Sequence, residues 1–185
     1  KACVAIDGRP DVAHSFEAAR VKRFKRGSGL PMLIPSIDLI EIGAGGGSIA
    51  RIDALGLMKI GPQSAGAAPG PACYGRGGTE ATVTDADLML GYLDAARFLG
   101  GEMFLDPSLA EAAASRLGAR LGLEPLDVAT GIADIVNENM AAAARIHIAE
   151  KGHDPRRFTL IATGGAGPVH AVEVARRLGI RRVLC

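Results

Sequence analysis

Two glycine turns, each following an apolar strand, are where this 185-residue chain could do chemistry. Residues 36–42, SIDLIEI, run into Gly43-Ala-Gly-Gly-Gly-Ser48. Without side chains at Gly43, Gly45, Gly46 and Gly47, the backbone can approach a ligand closely and turn consecutive N–H groups inward as a nest for phosphate oxygens. Ser48 adds a hydroxyl. In Ile161-Ala-Thr-Gly-Gly-Ala-Gly-Pro-Val-His170 a strand ends at Gly164, Gly165 and Gly167 and a helix begins, so the positive helix end faces whatever lies above the turn. Each turn alone reads equally well as plain tight geometry; two of them flanking one sheet point to a nucleotide held between them. His170, one turn into that helix, is either structural or a ligand contact.

The other candidates carry a structural reading beside a functional one. Asp85 is either a helix-start carboxylate or a catalytic group that meets substrate or a nucleotide-bound cation at the end of the glycine-rich loop. Asn137 and Asn139 are poor helix formers in mid-helix, and either make a polar face or reach toward the ligand cleft. His147 falls on an apolar stripe, while His14 and His153 lie in turn or ribbon contexts. No paired ligand spacing links the four histidines, so no metal site of the protein's own is expected. Cys73 has no neighbouring base and reads as packing. Gly43, Gly45 and Ser48 imitate G-x-G-x-x-G, but the third position is Ser, an alternating strand follows, and Gly61-Pro62 stands where an acidic strand end belongs. A Walker A pattern is absent, since no glycine is followed by Lys and then Ser or Thr.

The elements that must position these residues follow from periodicity and punctuation. Residues 3–7 read as a strand entering the turn Gly8-Arg9-Pro10, the second arm of a hairpin. HSFEAARVKRFKRG clusters Arg20, Lys22, Arg23, Lys25 and Arg26, a solvated or partner-facing ribbon or, less simply, a phosphate or nucleic-acid patch. Ala50, Ile52 and Ala54 alternate with Arg51 and Asp53, so strand, turn, strand is expected around the first glycine turn. Residues 61–78 hold three prolines and six glycines, which argues against regular structure. Helices are expected from Thr84 through Leu93, from Pro107 with Leu109, Ala113, Leu117 and Leu121 on one face, and from Pro125 to Gly152 with Ile132, Val136, Met140, Ala143 and His147 on one stripe. Residues 158–162 read as a buried strand, 169–178 as a helix that Gly179 ends, and 182–184 as a last strand. Strands mixed with helices make the fold class α/β, or mixed α+β.

Composition excludes several classes. With 21 Lys+Arg against 20 Asp+Glu, the net charge of +1 leaves no nucleic-acid footprint in the total. Glycine, 25 of 185, is about twice its usual share, while aromatics are only 4%, so stacking platforms for bases are not expected. No apolar run reaches the ~18 residues of a membrane span. Cys3, Cys73 and Cys185 are odd in number and far apart, which fits a reducing cytosol and a cytoplasmic protein. Both ends fall inside apolar runs and there is no initiator Met, so the chain reads as a piece of something larger.

The succession DLIEIGAGGGSIARID, GPQSAGAAPGPACYGRGG, TVTDADLMLG and GIADIVNENMAAAARIHIAEKGHDPRRFTLIATGGAGPVHA resembles the hydantoinase A and 5-oxoprolinase family, in order and across nearly the whole chain. The resemblance implies an actin-like, sugar-kinase-like ATPase lobe, incomplete here, divided into strands and glycine hairpin (1–62), a glycine and proline loop (63–79), and helices with the nucleotide-side turn (80–185). It implies ATP, with Mg2+ carried by the nucleotide, used to phosphorylate a cyclic amide of hydantoin or 5-oxoproline type so that it opens. It places Gly164, Gly165, Gly167 and His170 on the adenosine side, residues 43–48 near phosphates or substrate, and Ser64, Tyr74 and Asp85 near substrate. A hydantoinase B-type partner is implied. Family members also carry an N-terminal lobe and an Asp-x-Gly-Gly-Thr hairpin that this chain lacks, so the piece alone is expected to be inactive. The alternatives are an acetone-carboxylase-like subunit and a nucleotide- or partner-binding lobe without turnover.

Overall fold

The structure, a computed structural model, describes residues 1–19, 21 and 27–185. Arg20, Lys22, Arg23, Lys25 and Arg26 of the basic ribbon lie outside the described residues. The first forty residues form a ladder of short antiparallel pairs: β1 (Ala2–Cys3) with β8 (Leu39–Ile40), β2 (Ala5–Ile6) with β3 (Arg9–Pro10), β4 (Val12–Ala13) with β7 (Ser36–Ile37), and β5 (Phe16–Ala18) with β6 (Leu30–Met32). Residues 3–7 therefore supply the first arm of a hairpin, turned at Asp7 and Gly8, both with positive φ. The ladder is tied to the body by Lys151, whose ammonium donates to Asp11 at 2.8 Å and Asp38 at 2.6 Å.

The expected strand after the first glycine turn is β9 (Ser48–Ile52), and its partner is β10 (Met58–Ser64), joined through Asp53, whose carboxylate accepts from the Leu55 and Leu57 N–H groups. Strand β10 continues to Ser64, past the Gly61-Pro62 pair, because the ladder resumes at Ser64 opposite Ser48 after a bulge. Ala50 and Ile60 face inward with three helices: α1 (Val83–Met89), α2 (Pro107–Leu121) and α3 (Pro125–Glu150).

Each helix start has a local cause. Helix α1 begins at Val83 with Thr82 as its cap, because Thr82 and Asp85 form a reciprocal capping box, and it ends at Met89, short of Leu93. In α2 the Asp106 carboxylate accepts from Ser108 N–H, Pro107 is the first helical residue, and Gly122 in the left-handed region ends the helix. The buried face of α2 is Ala110, Ala113, Ala114 and Leu117; Leu109, expected inside, is 38% exposed, because small alanines let α2 lie close on α3. Helix α3 has 26 residues, about 39 Å at 1.5 Å per residue, and buries Val128, Ile132 and Val136 in the main core. Its far end packs Ala141 against Val174, Ala175 and Leu178 of α4 (Gly167–Leu178) and against Ile180. The strand expected at 158–162 is only β11 (Leu160–Ile161), parallel to β12 (Val183–Leu184), and Ile161 is 67% exposed rather than buried, since no described residue covers that face. The result is a mixed α/β fold. Among the described residues no helix is long and apolar enough to cross a membrane.

Candidate nucleotide cleft

The first glycine turn is built around Ser48, which is buried. Its N–H donates to the Gly45 carbonyl at 2.9 Å and its hydroxyl accepts from Gly45 N–H at 3.0 Å, so Ser48 clamps the turn from inside. The carbonyls of Gly46 and Gly47 point back into the fold, accepting from Thr84 and Ala65 N–H groups at 2.8 Å each. The N–H groups of Gly46 and Gly47 have no acceptor among the described residues. A Cβ on Gly46 would lie 2.6 Å from the Thr84 hydroxyl, and one on Gly47 would lie 2.8 Å from that of Ser64, so a side chain at either place must displace a neighbouring hydroxyl. Above them opens a cavity of about 280 Å³, lined by residues 43–48 with Pro62 and Ser64.

The second turn is open. Gly164, with φ of 85°, and Gly165 are exposed, and added Cβ atoms at Gly164, Gly165 or Gly167 would meet nothing within 4 Å. Helix α4 starts at Gly167 with no side-chain cap, and the N–H groups of Gly164, Gly165 and Ala166 have no acceptor among the described residues. These are the free donors and the positive end that an anion takes up. The two turns converge: a Cβ on Gly46 would come to 4.0 Å from the Ala166 Cβ.

Beneath the turns lies a layer of buried polar groups on α1. Thr84 separates Gly46 from Tyr74, whose phenol is pushed up by burial while Thr84 beside it works the other way. Tyr74 packs on Phe98 at 5.7 Å between ring centres. Asp85, 1% exposed, accepts four hydrogen bonds: from Ala72 N–H at 3.2 Å, Cys73 N–H at 2.8 Å, Thr82 N–H at 2.9 Å and the Thr82 hydroxyl at 2.7 Å. It thus fastens the end of the glycine and proline loop to the start of α1, with its charge facing four donors. Cys73 beside it is buried, and burial pushes its thiol up, away from reactive thiolate.

His170 is 2% exposed and faces inward, beneath the second turn: its Nδ1 lies 3.0 Å from the Asn137 side-chain oxygen and its Nε2 3.5 Å from Asp87 Oδ2. Asp87, also 2% exposed, is raised by burial to about 7, and burial lowers His170 below its ordinary value. Asn137 therefore points into the fold, while Asn139 lines a second cavity, of about 400 Å³, with Arg51 and Lys59; Pro62 borders both cavities. The structure thus gathers residues 43–48 with Ser64 around one cavity and brings residues 164–167 alongside, with Asp85, Tyr74 and His170 below. Sequence reasoning treated Thr84 and Asp87 as helix-start residues only. The available sign was that Thr84, Asp85 and Asp87 crowd three polar side chains into one short helix with apolar Val83, Ala86 and Leu88.

Known proteins bear on this arrangement. The family model for Hydantoinase/oxoprolinase matches residues 1–185. An uncharacterized protein of Methanocaldococcus jannaschii is 43% identical over 100% of this chain and 27% of its own length. Caprolactamase subunit alpha of Pseudomonas jessenii is 45% identical over 82% of this chain and 22% of its own; the crystal structure of that ATP-dependent caprolactamase overlays 84% of this chain with a TM-score of 0.71. The nucleotide-free structure of acetone carboxylase, an enzyme of ATP-dependent acetone carboxylation, overlays 95% of this chain and 24% of its own with a TM-score of 0.80 at 30% identity. The chain spans about a quarter of the length of these relatives. The mixed α/β fold is the one shared with those two enzymes, of the actin-like ATPase type. The chain belongs to the Hydantoinase/oxoprolinase family.

Proposed function

We propose that this chain is the nucleotide-holding part of an enzyme that uses ATP to open a cyclic amide of hydantoin, 5-oxoproline or related lactam type. The observation that carries this reading is the convergence of two sets of unpartnered N–H groups, at Gly46 and Gly47 and at 164–166, with Gly46 and Ala166 side by side. ATP, when bound, supplies a γ-phosphoryl group that turns a resonance-stabilised amide into an openable one. The chain's own contribution is positioning and charge stabilisation, which dominate phosphoryl transfer. In this reading the N–H groups of the first turn hold phosphate oxygens, the exposed second turn and the α4 end take the adenosine side, and Ser64 meets the substrate from the cavity wall. Asp85 and Tyr74 act from below. Asp85 holds the 72–73 backbone against α1, and Tyr74 fixes Thr84 under Gly46. Magnesium travels with the nucleotide, a hydantoinase B-type subunit or domain completes the enzyme, and the three free cysteines fit a cytoplasmic setting.

A second reading, phosphorylation of a ketone for carboxylation, is favoured by the wider overlay on acetone carboxylase. The test is ATP consumption by the whole protein with its partner subunit, offered hydantoin, 5-oxoproline, caprolactam, or acetone with bicarbonate. Stimulation by a cyclic amide is expected; stimulation by acetone with bicarbonate alone selects the second reading, and no ATP use with any of them overturns both.

A further inference from the structure

The layer under the turns contains a group that the proposed chemistry does not use. Among the described residues, Asp87 Oδ1 and His170 Nε2 are buried polar atoms without a hydrogen-bond partner, in a fold that satisfies the neighbouring Asp85 four times over. Buried polar atoms without partners are rare and call for a reason. The Asn137 side-chain oxygen accepts from His170 Nδ1–H at 3.0 Å, which leaves Nε2 with its lone pair directed at Asp87 Oδ2, 3.5 Å away. Two acceptors cannot face each other in a dry interior unless a proton stands between them.

We propose that Asp87, His170 and Asn137 are positioning residues of the nucleotide cleft: Asp87 and His170 share one proton, and the chain they form with Asn137 clasps the first turn of α4 to α1 and α3, holding the open turn 164–167 beside Gly46. The inference rests on the nucleotide reading given above. Each of the three residues comes from a different helix, so the clasp fixes the relative placement of the elements that carry the two turns. The direction in which burial moves each group fits this: the carboxyl is raised to about 7 and the imidazole lowered, both toward the neutral forms, in which the acid donates to the ring.

Among the described residues no other charged group reaches that proton, and burial moves both groups toward their neutral forms. Asp85 on α1 is turned onto residues 72–73 and Thr82. On α2, Arg116 is exposed and reaches the Thr79 carbonyl; Arg51 and Lys59 of the β9–β10 hairpin are exposed. Arg177 of α4 pairs with Asp134 and Glu138 of α3 on the outer surface, and His147 lies ten residues further along α3.

A triphosphate seated above the turns adds negative charge over Asp87 and so favours the protonated pair; by reciprocity the proton favours the nucleotide. For the native whole protein, the ATP dissociation constant is therefore expected to weaken by up to about tenfold between pH 6 and pH 8, beyond the change due to ATP's own ionisation. In Asp87→Asn the amide donates to Nε2 at every pH, so the pH 8 to pH 6 ratio of dissociation constants falls to that of ATP's ionisation alone, which is common to both proteins. A ratio equal in the native protein and Asp87→Asn overturns the proposal. Independently of nucleotide, histidine side-chain ¹⁵N shifts of the native protein should keep the His170 ring neutral at pH 6, with Nδ1 protonated and Nε2 hydrogen-bonded, and should move as Asp87 ionises near pH 7. Shifts of a His170 imidazolium at pH 6, or shifts unchanged from pH 6 to 8, overturn the clasp. Absence of ATP binding at any pH overturns the function proposed above instead, and the ¹⁵N shifts then decide the clasp alone.

Discussion

At the scale of the residue, Asp85 and Gly46 make opposite demands. The Asp85 carboxylate faces four donors, three backbone N–H groups and one hydroxyl, all buried with it. Replacing it by Asn sets an amide N–H2 against such donors, and with hydrogen bonds to a charged acceptor contributing about 1.5 to 3 kcal/mol each, Asp85→Asn should lose at least ~3 kcal/mol in urea denaturation. A protein that unfolds at the native midpoint yet fails to turn over would give Asp85 a directly catalytic role instead of a positioning one. Gly46→Ala drives a Cβ into the Thr84 hydroxyl at 2.6 Å. Nucleotide affinity should fall by tenfold or more, on the order of 1.4 kcal/mol, and the double variant with Thr84→Ala should recover part of it; strict additivity in the cycle would mean that the two residues do not touch. The presence of the glycines was legible in the chain, but Thr84 as the atom that forbids a side chain was not, because 38 positions separate the two.

At the scale of the element, two helical glycines separate packing from propensity. Alanine is favoured over glycine by about 1 kcal/mol inside a helix. In α3, a Cβ on Gly131 would meet only the flexible end of Met58, at 2.6 Å, and Met58 can swing aside. In α2, a Cβ on Gly118 would meet the Leu123 carbonyl at 2.4 Å and Val128 Cγ2 at 3.2 Å, where α2 turns into α3. Thermal unfolding should therefore show Gly131→Ala neutral or up to ~1 kcal/mol more stable, and Gly118→Ala less stable than the native chain despite the same propensity gain. Helices α2 and α3 were legible because proline starts, apolar spacing and a glycine stop agree along them. The start of α1 was displaced because Thr82 and Asp85 cap each other across a turn, and the strand at 158–162 shrank because its hydrophobic run has no layer of described residues above it.

At the scale of the whole molecule, the N-terminal ladder meets the helical body where β1 and β8 pack on α3, and Lys151 adds a charged tie beside them. Lys151 sits between Asp11 and Asp38, and their hydrogen bonds and charges outweigh its desolvation and raise its pKa. Lys151→Met should leave the midpoint of the helical body nearly unchanged while limited proteolysis cuts within residues 1–40 faster; equal cleavage rates would show the ladder held by other means. Stability should also respond to pH through Asp87. Its folded value, about 7, lies above the ordinary carboxyl value of 3.8, so its contribution is complete below about pH 4 and is lost as pH rises through 7. His170, lowered on folding, works the other way: its contribution is present above the ordinary imidazole value of 6.5 and is lost as pH falls from there through its depressed value. The native melting temperature should thus drop from pH 6 to pH 8 while that of Asp87→Asn stays flat. The chain by itself determined α2, α3, α4 and the two glycine turns, because backbone freedom, caps and apolar periodicity are local and act within a few residues. Only the tertiary structure decided that Gly46 meets Ala166, that Asp85 is consumed by the Cys73 backbone, and that His170 turns inward to Asn137 and Asp87, because burial and partnership between positions 12 to 120 residues apart are set by how helices and strands pack and leave no periodic mark in the sequence.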